Sequence, residues 1–267
     1  MTQGEIARAL PSARIAAMHR FFLSPDAMLS ETPALAGDEA HHCLGVLRHG
    51  VGDKIVVFDG RGNEATAQIE SAGKREAALR ILHRAKSPPV ACRLTLVQAV
   101  PKGKNMDLII EKAVELGAAA IVPLFSERTV VQLDAGEAAA KREKWQTVAR
   151  EACKQCGQNR LPEIAEPVSP KVFLEQRQHP GLLLIASLQS DSKPIKTVLA
   201  DFAAQNGGPA KDVAIFVGPE GDFTPAEINL AKSHGCRPVT LGPIILRTET
   251  AAIYCLSVLG HELFSTP

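Results

Sequence analysis

Five short apolar segments in the last two thirds of the chain restrict the folds it can adopt. They read RLTLVQAV, AAIVPLF, GLLLIASL, DVAIFV and RPVTLG. Continuous apolar runs of this length are typical of strands that are buried on both faces of a parallel sheet. Helical patterns lie between and after them, at roughly residues 104–117, 138–157, 194–205, 225–235 and 250–264. This alternation predicts an α/β domain with a mostly parallel sheet.

The first third of the chain has a different pattern, with short β-like segments separated by turns that contain glycine. These segments are RFFL, KIVVFD, EATAQIES and EAALRILHR. Residues 38–48 predict one short helix, with Asp38 as a candidate N-cap. The prolines of SPPV, residues 87–90, disfavour both a helix and a central strand, so we place a domain boundary there. A small barrel or compact β domain is therefore expected before the α/β domain.

Composition narrows the classes of protein to which the chain can belong. Hydrophobic residues make up 45% and charged residues 22%, as in globular proteins with a substantial core. The formal net charge is only +1, and it is not concentrated in one half, so a nucleic-acid surface would have to be a local patch. No apolar run is long enough to predict a membrane span.

The N-terminal residues and the cysteines indicate in which cellular compartment the protein is expected. The first 17 residues lack the apolar core of a secretory signal, so we expect a disordered tail or a misplaced start before Met18. Six scattered cysteines in a chain of this length predict reduced thiols and a cytoplasmic protein.

Two motifs that suggest cofactors have simpler structural explanations. GRGNEA, residues 60–65, fits a dinucleotide-binding pattern, but the strand-like TAQIES follows where that motif needs a helix, so a hairpin turn is expected. Cys153 and Cys156 form a C-x-x-C on a helical stretch without a second ligand pair, and adjacent helical residues such as His41 and His42 point in different directions. We therefore predict no metal site.

Two loops that begin with glycine and proline follow neighbouring predicted strands. In the first, residues 218–228, Thr224, Pro225 and Glu227 predict a capped helix start, but capping does not account for Pro219 and Glu220. In the second, residues 241–251, a threonine could cap the helix and Glu249 could complement its dipole, yet an ordinary connection needs no apolar residues at 244–246. Ligands of α/β domains bind at such carboxyl ends, so both loops are candidate site elements.

Together these segments resemble a known family. GPEG at 218–221 and LGPIILRTETA at 241–251 resemble the C-terminal signature of SPOUT RNA methyltransferases, and in particular the RsmE family of 16S rRNA (uracil(1498)-N3)-methyltransferases. HRFFL, HHCLGVLRHGVGDKIVVFDGRG, KGKNMDLIIEKAVELGAAAIVPLFSERTV and KWQTVAREACKQCGQNRLPEI resemble its other segments in the expected order, from about His19 to the end. The family usually has a third glycine where this chain has Asp222, which puts the geometry of that loop in question.

The resemblance implies a fold, a cofactor and partners. It implies an N-terminal tail at 1–18, a PUA-like β-barrel domain for RNA at 19–88, and a SPOUT α/β domain with a deep trefoil knot at 91–267. The implied reaction is methylation of N3 of uridine 1498 in the small ribosomal subunit, with S-adenosylmethionine as methyl donor and a homodimer as the active form. Two alternatives remain at this point: a SPOUT methyltransferase for another rRNA or tRNA position, and a PUA-type ribosome-assembly factor without catalysis.

The same resemblance assigns site residues. In such enzymes the LGxxIL loop wraps the adenine and ribose of the cofactor, so that Ile245 and Leu246 would pack against the ring. The implied cofactor-binding residues are Leu188, Gly218, Pro219, Glu220, Gly221, Leu241, Gly242, Ile245, Leu246, Arg247 and Thr250.

Catalytic and RNA-binding candidates follow from the chemistry of uridine. Its N3–H must lose a proton before it can attack a methyl group. Arg247 is the candidate for stabilising negative charge on the uracil oxygens. Glu249 or Glu220 is the candidate proton acceptor. The candidate RNA contacts are basic: Arg20, Arg48, Lys102, Lys104, Arg128, Lys154 and Arg160.

Overall fold

The computed structural model of the chain describes residues 18–130, 134–176 and 181–264. The predicted N-terminal tail lies outside this range except for Met18. The chain divides into two compact units. The first contains the chain up to Pro88 together with Lys154–Arg160, and the second contains Pro89–Cys153 and Leu161 to the C-terminus.

The first unit is built on a five-stranded mixed sheet. Its order is β1-β3-β4-β5-β2, in which β1 pairs parallel with β3 and the other pairs are antiparallel. The elements are β1 (Arg20–Phe22), α1 (Pro25–Leu29), β2 (Ala34–Ala36), α2 (Gly37–His41), a π-helical turn (His42–Val46), β3 (Lys54–Phe58), β4 (Asn63–Ala72) and β5 (Glu76–Lys86). Apolar residues on alternate positions of β4 are buried, so one face of the sheet covers a core.

The helix predicted at 38–48 is shorter than expected, and its cap differs. α2 begins at Gly37 after Ala36, which makes no side-chain cap hydrogen bond, and Asp38 lies in the first turn. The prediction of Asp38 as N-cap was therefore wrong. The chain continues as a π-helical turn and leaves it near Arg48, whose φ of 57° is incompatible with a right-handed helix.

The glycines of GRGNEA form the hairpin that the sequence predicts. β3 and β4 pair antiparallel on either side of it, and Gly60 and Gly62 have φ values of 73° and 95°. One carboxylate oxygen of Asp59 accepts hydrogen bonds from the backbone N–H groups of Arg61 (2.7 Å) and Asn63 (3.0 Å). The turn is thus fixed by left-handed glycines and one carboxylate.

A distant stretch of chain completes the first unit. The Lys154 ammonium lies 2.6 Å from a Glu39 carboxylate oxygen, and both side chains are largely buried. The Asn159 side-chain oxygen accepts a 2.5 Å hydrogen bond from the Arg20 guanidinium. Arg160 donates to the carbonyls of residues 87 and 88, each at 3.2 Å.

The second unit is built on a seven-stranded sheet whose described pairings are all parallel. The strand order is β10-β12-β9-β11-β6-β7-β8. The elements are β6 (Arg93–Ala99), α3 (Asn105–Glu115), β7 (Ala120–Leu124), α4 (Ala135–Cys156), β8 (Glu163–Ile164), α5 (Pro170–Gln176), β9 (Leu182–Ala186), β10 (Lys193–Pro194), α6 (Ile195–Asn206), β11 (Asp212–Val217), α7 (Pro225–Ser233), β12 (Arg237–Thr240) and α8 (Thr248–Phe264).

This sheet confirms the predicted α/β architecture. Every residue of β7 and β9 is buried, as expected for strands covered on both faces. The buried residues of α3 recur three and four apart, and this helix packs against α8. The short elements α1, β2, α5, β8 and β10 were not predicted, because two to seven residues are too few to show a period. Among the described helices, none is long and apolar enough to cross a membrane.

Candidate functional site

Three loops at the carboxyl edge of the parallel sheet enclose a cleft. They follow β12, β9 and β11, which are neighbours in the sheet. The cleft is open to solvent, and the space it encloses together with the solvent at its mouth is about 590 Å³. Its lining residues are Ala186, Ser187, Leu188, Val217, Gly218, Pro219, Glu220, Asp222, Leu241, Gly242, Ile244, Ile245, Leu246, Thr248 and Ala251.

The loop after β11 makes a tight turn that depends on Gly218 and Asp222. The Asp222 N–H donates to the Pro219 carbonyl at 2.9 Å. A Cβ at Gly218 would lie 3.1 Å from an Asp222 carboxylate oxygen and 3.2 Å from the Phe223 nitrogen, so a side chain there would shift the turn. Asp222 itself has a φ of 59°, a left-handed conformation that glycine adopts without strain and aspartate tolerates better than most residues. Asp222 therefore occupies the conformation for which a third glycine is suited.

The same loop begins the helix that the sequence predicts. Thr224 accepts a hydrogen bond from the Glu227 N–H, and the Glu227 carboxylate accepts one from the Thr224 N–H, which confirms the capping box. The other Glu227 oxygen accepts from the Glu127 N–H at 2.9 Å. These residues are structural, as the sequence indicates.

The loop after β12 places apolar side chains at the mouth of the cleft. Ile244 and Ile245 are 69% and 81% exposed, and Leu188 on the facing loop is 63% exposed. Gly242 enters this loop with a φ of 115°, which L-residues rarely adopt. Three exposed large apolar side chains at one cleft are typical of a site covered by a ligand.

A buried hydrogen-bond chain lies behind the cleft. The Thr248 hydroxyl donates to the Gly218 carbonyl at 2.7 Å and accepts from the Gln98 side-chain N–H₂ at 3.0 Å. The same Gln98 nitrogen donates to the Ala99 carbonyl at 2.9 Å, and its oxygen has no hydrogen-bond partner among the described residues. Gln98 is fully buried and Thr248 is 4% exposed. We name these three residues, Gln98, Thr248 and Gly218, the hydroxyl clamp.

The hydroxyl clamp changes the interpretation of the threonines. Capping was an open alternative for Thr248 and Thr250, but α8 starts at Thr248, whose hydroxyl bonds to other segments instead. Thr250 lies inside the helix on an exposed face. Sequence reasoning did not single out Gln98, although a glutamine inside an apolar strand is a signal for a buried polar contact.

Glu220 is held by a neighbouring loop. One of its carboxylate oxygens accepts a hydrogen bond from the Lys102 backbone N–H at 2.9 Å. Lys102 follows β6, the strand next to β11 in the sheet. Glu220 thereby joins the cleft to the loop after β6, a structural role that the sequence did not reveal.

Comparisons with known proteins agree with this geometry. An RNA methyltransferase domain matches residues 88–260, and an RNA methyltransferase PUA domain matches residues 35–82. The chain is 30% identical to ribosomal RNA small subunit methyltransferase E of Bacillus subtilis over 250 residues, covering 92% of this chain and 97% of the relative. The chain belongs to the ribosomal RNA small subunit methyltransferase E family. The family resemblance predicted from the sequence is thus confirmed.

Solved structures of similar proteins extend the match to the fold. One is a family member from Neisseria gonorrhoeae bound to S-adenosyl methionine, with 32% identity, a TM-score of 0.80 and coverage of 92% of this chain and 98% of that one. Another is a putative methyltransferase from Legionella pneumophila in complex with the same cofactor, with 34% identity, a TM-score of 0.82 and the same coverage.

Most of the cofactor residues predicted for this chain line the cleft. Eight do so: Leu188, Gly218, Pro219, Glu220, Leu241, Gly242, Ile245 and Leu246. Gly221, Arg247 and Thr250 are not in the lining. Thr250 instead belongs to the outer surface of α8 beside Tyr254, one helical turn away. The cofactor roles of all eleven remain predictions.

The two charged candidates of the RTET segment flank the cleft. Arg247 is exposed and directly precedes α8, where its carbonyl accepts from the Ala251 N–H at 2.8 Å. Glu249 is half-buried in the first turn of the helix. Within the described part of the chain, neither side chain forms an ion pair. Both are therefore available to a substrate, and their catalytic roles remain predictions.

The candidate RNA contacts divide into two groups. Arg20, Lys154 and Arg160 make the internal contacts of the first unit described above, so each has a structural role. Arg48, Lys102, Lys104 and Arg128 are exposed. Arg128 lies beside the cleft and donates a hydrogen bond to the Gly221 carbonyl. RNA contact by all seven stays a prediction.

No cysteine is among the residues that line the cleft. Five of the six cysteines are buried, and Cys156 of the C-x-x-C is exposed. Burial raises the pKa of Cys236 and of Cys255 from 9.0 to about 12. Across residues 18–130, 134–176 and 181–264, no group of three or more His, Cys, Asp or Glu side chains is arranged to hold a metal ion.

Proposed function

We propose that this chain transfers a methyl group from S-adenosylmethionine to N3 of uridine 1498 in 16S rRNA of the small ribosomal subunit. The observation that carries the proposal is the cleft between the glycine-bearing loops after β11 and β12, in a chain of this family. Relatives of known structure were solved with S-adenosylmethionine, and the curated relatives are named for the small-subunit rRNA.

The lining of the cleft fits the proposed cofactor. Ile245 and Leu188 offer exposed apolar surface to a flat aromatic base, and such surface gains free energy when a ligand covers it. Glycines at 218 and 242 expose backbone groups that can hydrogen-bond polar parts of a ligand. When bound, S-adenosylmethionine supplies an electrophilic methyl group on a sulfonium.

The charged residues beside the cleft suit the chemistry of the uracil ring. N3 carries a proton at neutral pH, so a base must accept it, and negative charge then spreads to the flanking oxygens. Glu249 is the proposed base, because Glu220 already accepts a hydrogen bond from the loop after β6. Arg247 is the proposed partner of the uracil oxygens, since its guanidinium stays charged and offers several N–H donors.

Further proposed properties follow from the resemblance to the SPOUT class. We infer a deep trefoil knot that includes the loop after β12, and a homodimer. The outer face of α8 supports the dimer: Val258 lies one helical turn after Tyr254 and its neighbour Ile253, and Tyr254 is 44% exposed. Light scattering at micromolar concentration is expected to give a dimer, and an active monomer would contradict it. Reduced thiols support a cytoplasmic location.

Methyl transfer separates the proposal from its alternatives. Purified protein is incubated with radiolabelled S-adenosylmethionine and small ribosomal subunits from cells that lack the gene. The labelled nucleoside is then identified by mass spectrometry and mapped by nuclease digestion. Label on N3 of uridine 1498 supports the proposal. Label at another RNA position indicates the rival methyltransferase, and RNA binding without any label indicates an assembly factor.

A matched variant makes the assay specific for the cleft. Gly242→Val alters the loop after β12 and is expected to abolish transfer. Gly235 has a comparable φ of 83° but lies outside the cleft lining, so Gly235→Val controls for general backbone strain. Equal transfer by the two variants would remove the cleft from the mechanism.

A further inference from the structure

A second cavity of the α/β unit is lined with lysines. Its wall is formed by the loop after β6, the first turn of α3 and one face of α4. Lys104, Lys141 and Lys144 are its basic residues, and Trp145, which is 3% exposed, closes one side. We name it the lysine cavity.

The charges of the lysine cavity are not balanced. Lys144 pairs with Asp107 at 2.7 Å, and Asp107 is the one acidic residue among those that line the cavity. The Lys141 ammonium lies 6.0 Å from the centroid of the Trp145 ring, a cation–π arrangement that leaves its charge uncompensated. Lys104 is exposed, and no described carboxylate pairs with it. Three ammonium groups thus face one carboxylate, so the lining attracts anions.

The lysine cavity is connected to the cofactor cleft through one hydrogen bond. Lys102 and Lys104 lie on the same loop, whose backbone N–H at 102 donates to Glu220 at 2.9 Å. Glu220 lines the cleft, whereas Pro101 and Gly103 of that loop line the lysine cavity. A polymer bound at the lysines would therefore pass close to the methyl donor.

We propose that the lysine cavity binds a phosphodiester group of the RNA substrate near the target uridine, an inference that rests on the proposed function. Phosphodiesters are permanent monoanions, and ammonium groups on flexible stems bind them as point charges without reading the base. Because Trp145 is buried and lies beneath Lys141, it has no open face for base stacking. The lysine cavity would thus hold the RNA in register while the residues of the cleft act on the base.

The test removes the two lysines that lack an acidic partner. Lys104→Gln/Lys141→Gln is compared with Lys211→Gln, which neutralises an exposed lysine just before the amino end of β11, at the opposite edge of the sheet. The probe is an oligoribonucleotide that spans the target uridine. The double variant is expected to bind it about tenfold more weakly at 0.15 M salt. The slope of log K against log salt should fall by about 0.7, since the loss of one phosphate contact on a single strand contributes about that much.

Three further measurements separate the possible failures. Calorimetry of S-adenosylmethionine is expected to give equal affinities for both variants and the wild type, which shows that the cleft has folded. Trp145 is the only tryptophan of the chain, so its fluorescence should change on titration with the oligoribonucleotide. The same titration with inorganic phosphate alone should leave the fluorescence unchanged.

The outcomes are distinct. Unchanged RNA affinity and salt slope in the double variant would overturn the proposal, as would an equal effect of Lys211→Gln. A full fluorescence response to free phosphate would assign the lysine cavity to a small anion and also overturn it. If the wild type binds the RNA with these properties but methylates nothing, the proposed function fails while the phosphate site stands.

Discussion

Replacing Thr248 with valine tests whether the hydroxyl clamp holds the cofactor loop in place. Valine has nearly the shape of threonine but lacks the hydroxyl, so the variant loses the bonds to the Gly218 carbonyl and from the Gln98 side chain. Each neutral hydrogen bond contributes about 0.5–1.5 kcal/mol, and a buried polar group left without a partner adds to the loss. We expect the free energy of unfolding to fall by about 2–4 kcal/mol.

The variant should also weaken cofactor binding, because the Gly218 carbonyl belongs to the loop that lines the cleft. An increase of about tenfold in Kd corresponds to about 1.4 kcal/mol, roughly one lost hydrogen bond. Urea unfolding followed by Trp145 fluorescence measures the stability of the α/β unit, and calorimetry measures the affinity for S-adenosylmethionine. Thr248→Ser keeps the hydroxyl and is the matched control for both.

For Gln98→Met we expect a much smaller loss of stability than for Thr248→Val. It removes the Gln98 N–H₂ but also the buried oxygen that lacks a partner, so the two effects offset and the cost should be below about 1 kcal/mol. In that background, Thr248→Val should cost less than in the wild type by about 1 kcal/mol, which a double-mutant cycle detects. Wild-type stability and affinity in Thr248→Val would refute the clamp, and strictly additive costs would refute the coupling.

Four other outcomes are expected. Gly242→Val should lower the affinity for S-adenosylmethionine at least tenfold in calorimetry. The cause is backbone strain at a φ of 115° and not a clash, since no atom lies within 4 Å of the added Cβ. Undiminished affinity would contradict the cleft assignment. Arg247→Ala should stay folded by circular dichroism yet lose about a hundredfold or more in single-turnover methyl transfer, with little recovery in Arg247→Lys, whereas near-normal rates would exclude this role. Asp222→Val should lower the free energy of unfolding by about 1–2 kcal/mol, because valine is strained at the left-handed φ of this position. Asp222→Gly should change the free energy of unfolding by less than about 1 kcal/mol. Equal free energies of unfolding for the two variants would refute backbone strain at residue 222. Folded Cys236 and Cys255 keep their protons where unfolded thiols, with a pKa near 9.0, lose theirs. Stability should therefore fall as pH rises above 9, by about 1.4 kcal/mol per pH unit for each thiol, and a flat unfolding midpoint from pH 9 to 11 would contradict this.

The sequence predicts the sheet well because strands that are buried on both faces appear in it as continuous apolar segments. DVAIFV became β11, and each of the helices predicted between or after the strands was found within a few residues of its expected ends. The prediction of Asp38 as a helix N-cap was wrong for a local reason. Its residues suit a helix start, but the first turn begins one residue earlier, at Gly37, and the π-helical turn depends on packing that no period encodes.

The site was predictable in its loops but not in its contacts. Gly218 and Gly242 could be located because turns at strand ends require glycine and because the segments resemble a family. The partnership of Gln98 with Thr248 could not, since it joins residues 150 positions apart. The same is true of Glu220, whose partner is a backbone N–H on another loop and leaves no trace in the side-chain pattern.

The return of residues 154–160 to the first unit affects how the protein is made and how it can be divided. During synthesis the β-rich segment is made first. The contacts of Arg20 with Asn159 and of Glu39 with Lys154 can form only after residues 89–153 have also been translated. The first unit is thus completed late, after most of α4 has been translated. An expressed fragment that ends at Pro88 would leave Glu39 and Arg20 without these partners. A chimaera that exchanges the first unit between members of this family would have to transfer both stretches of chain together.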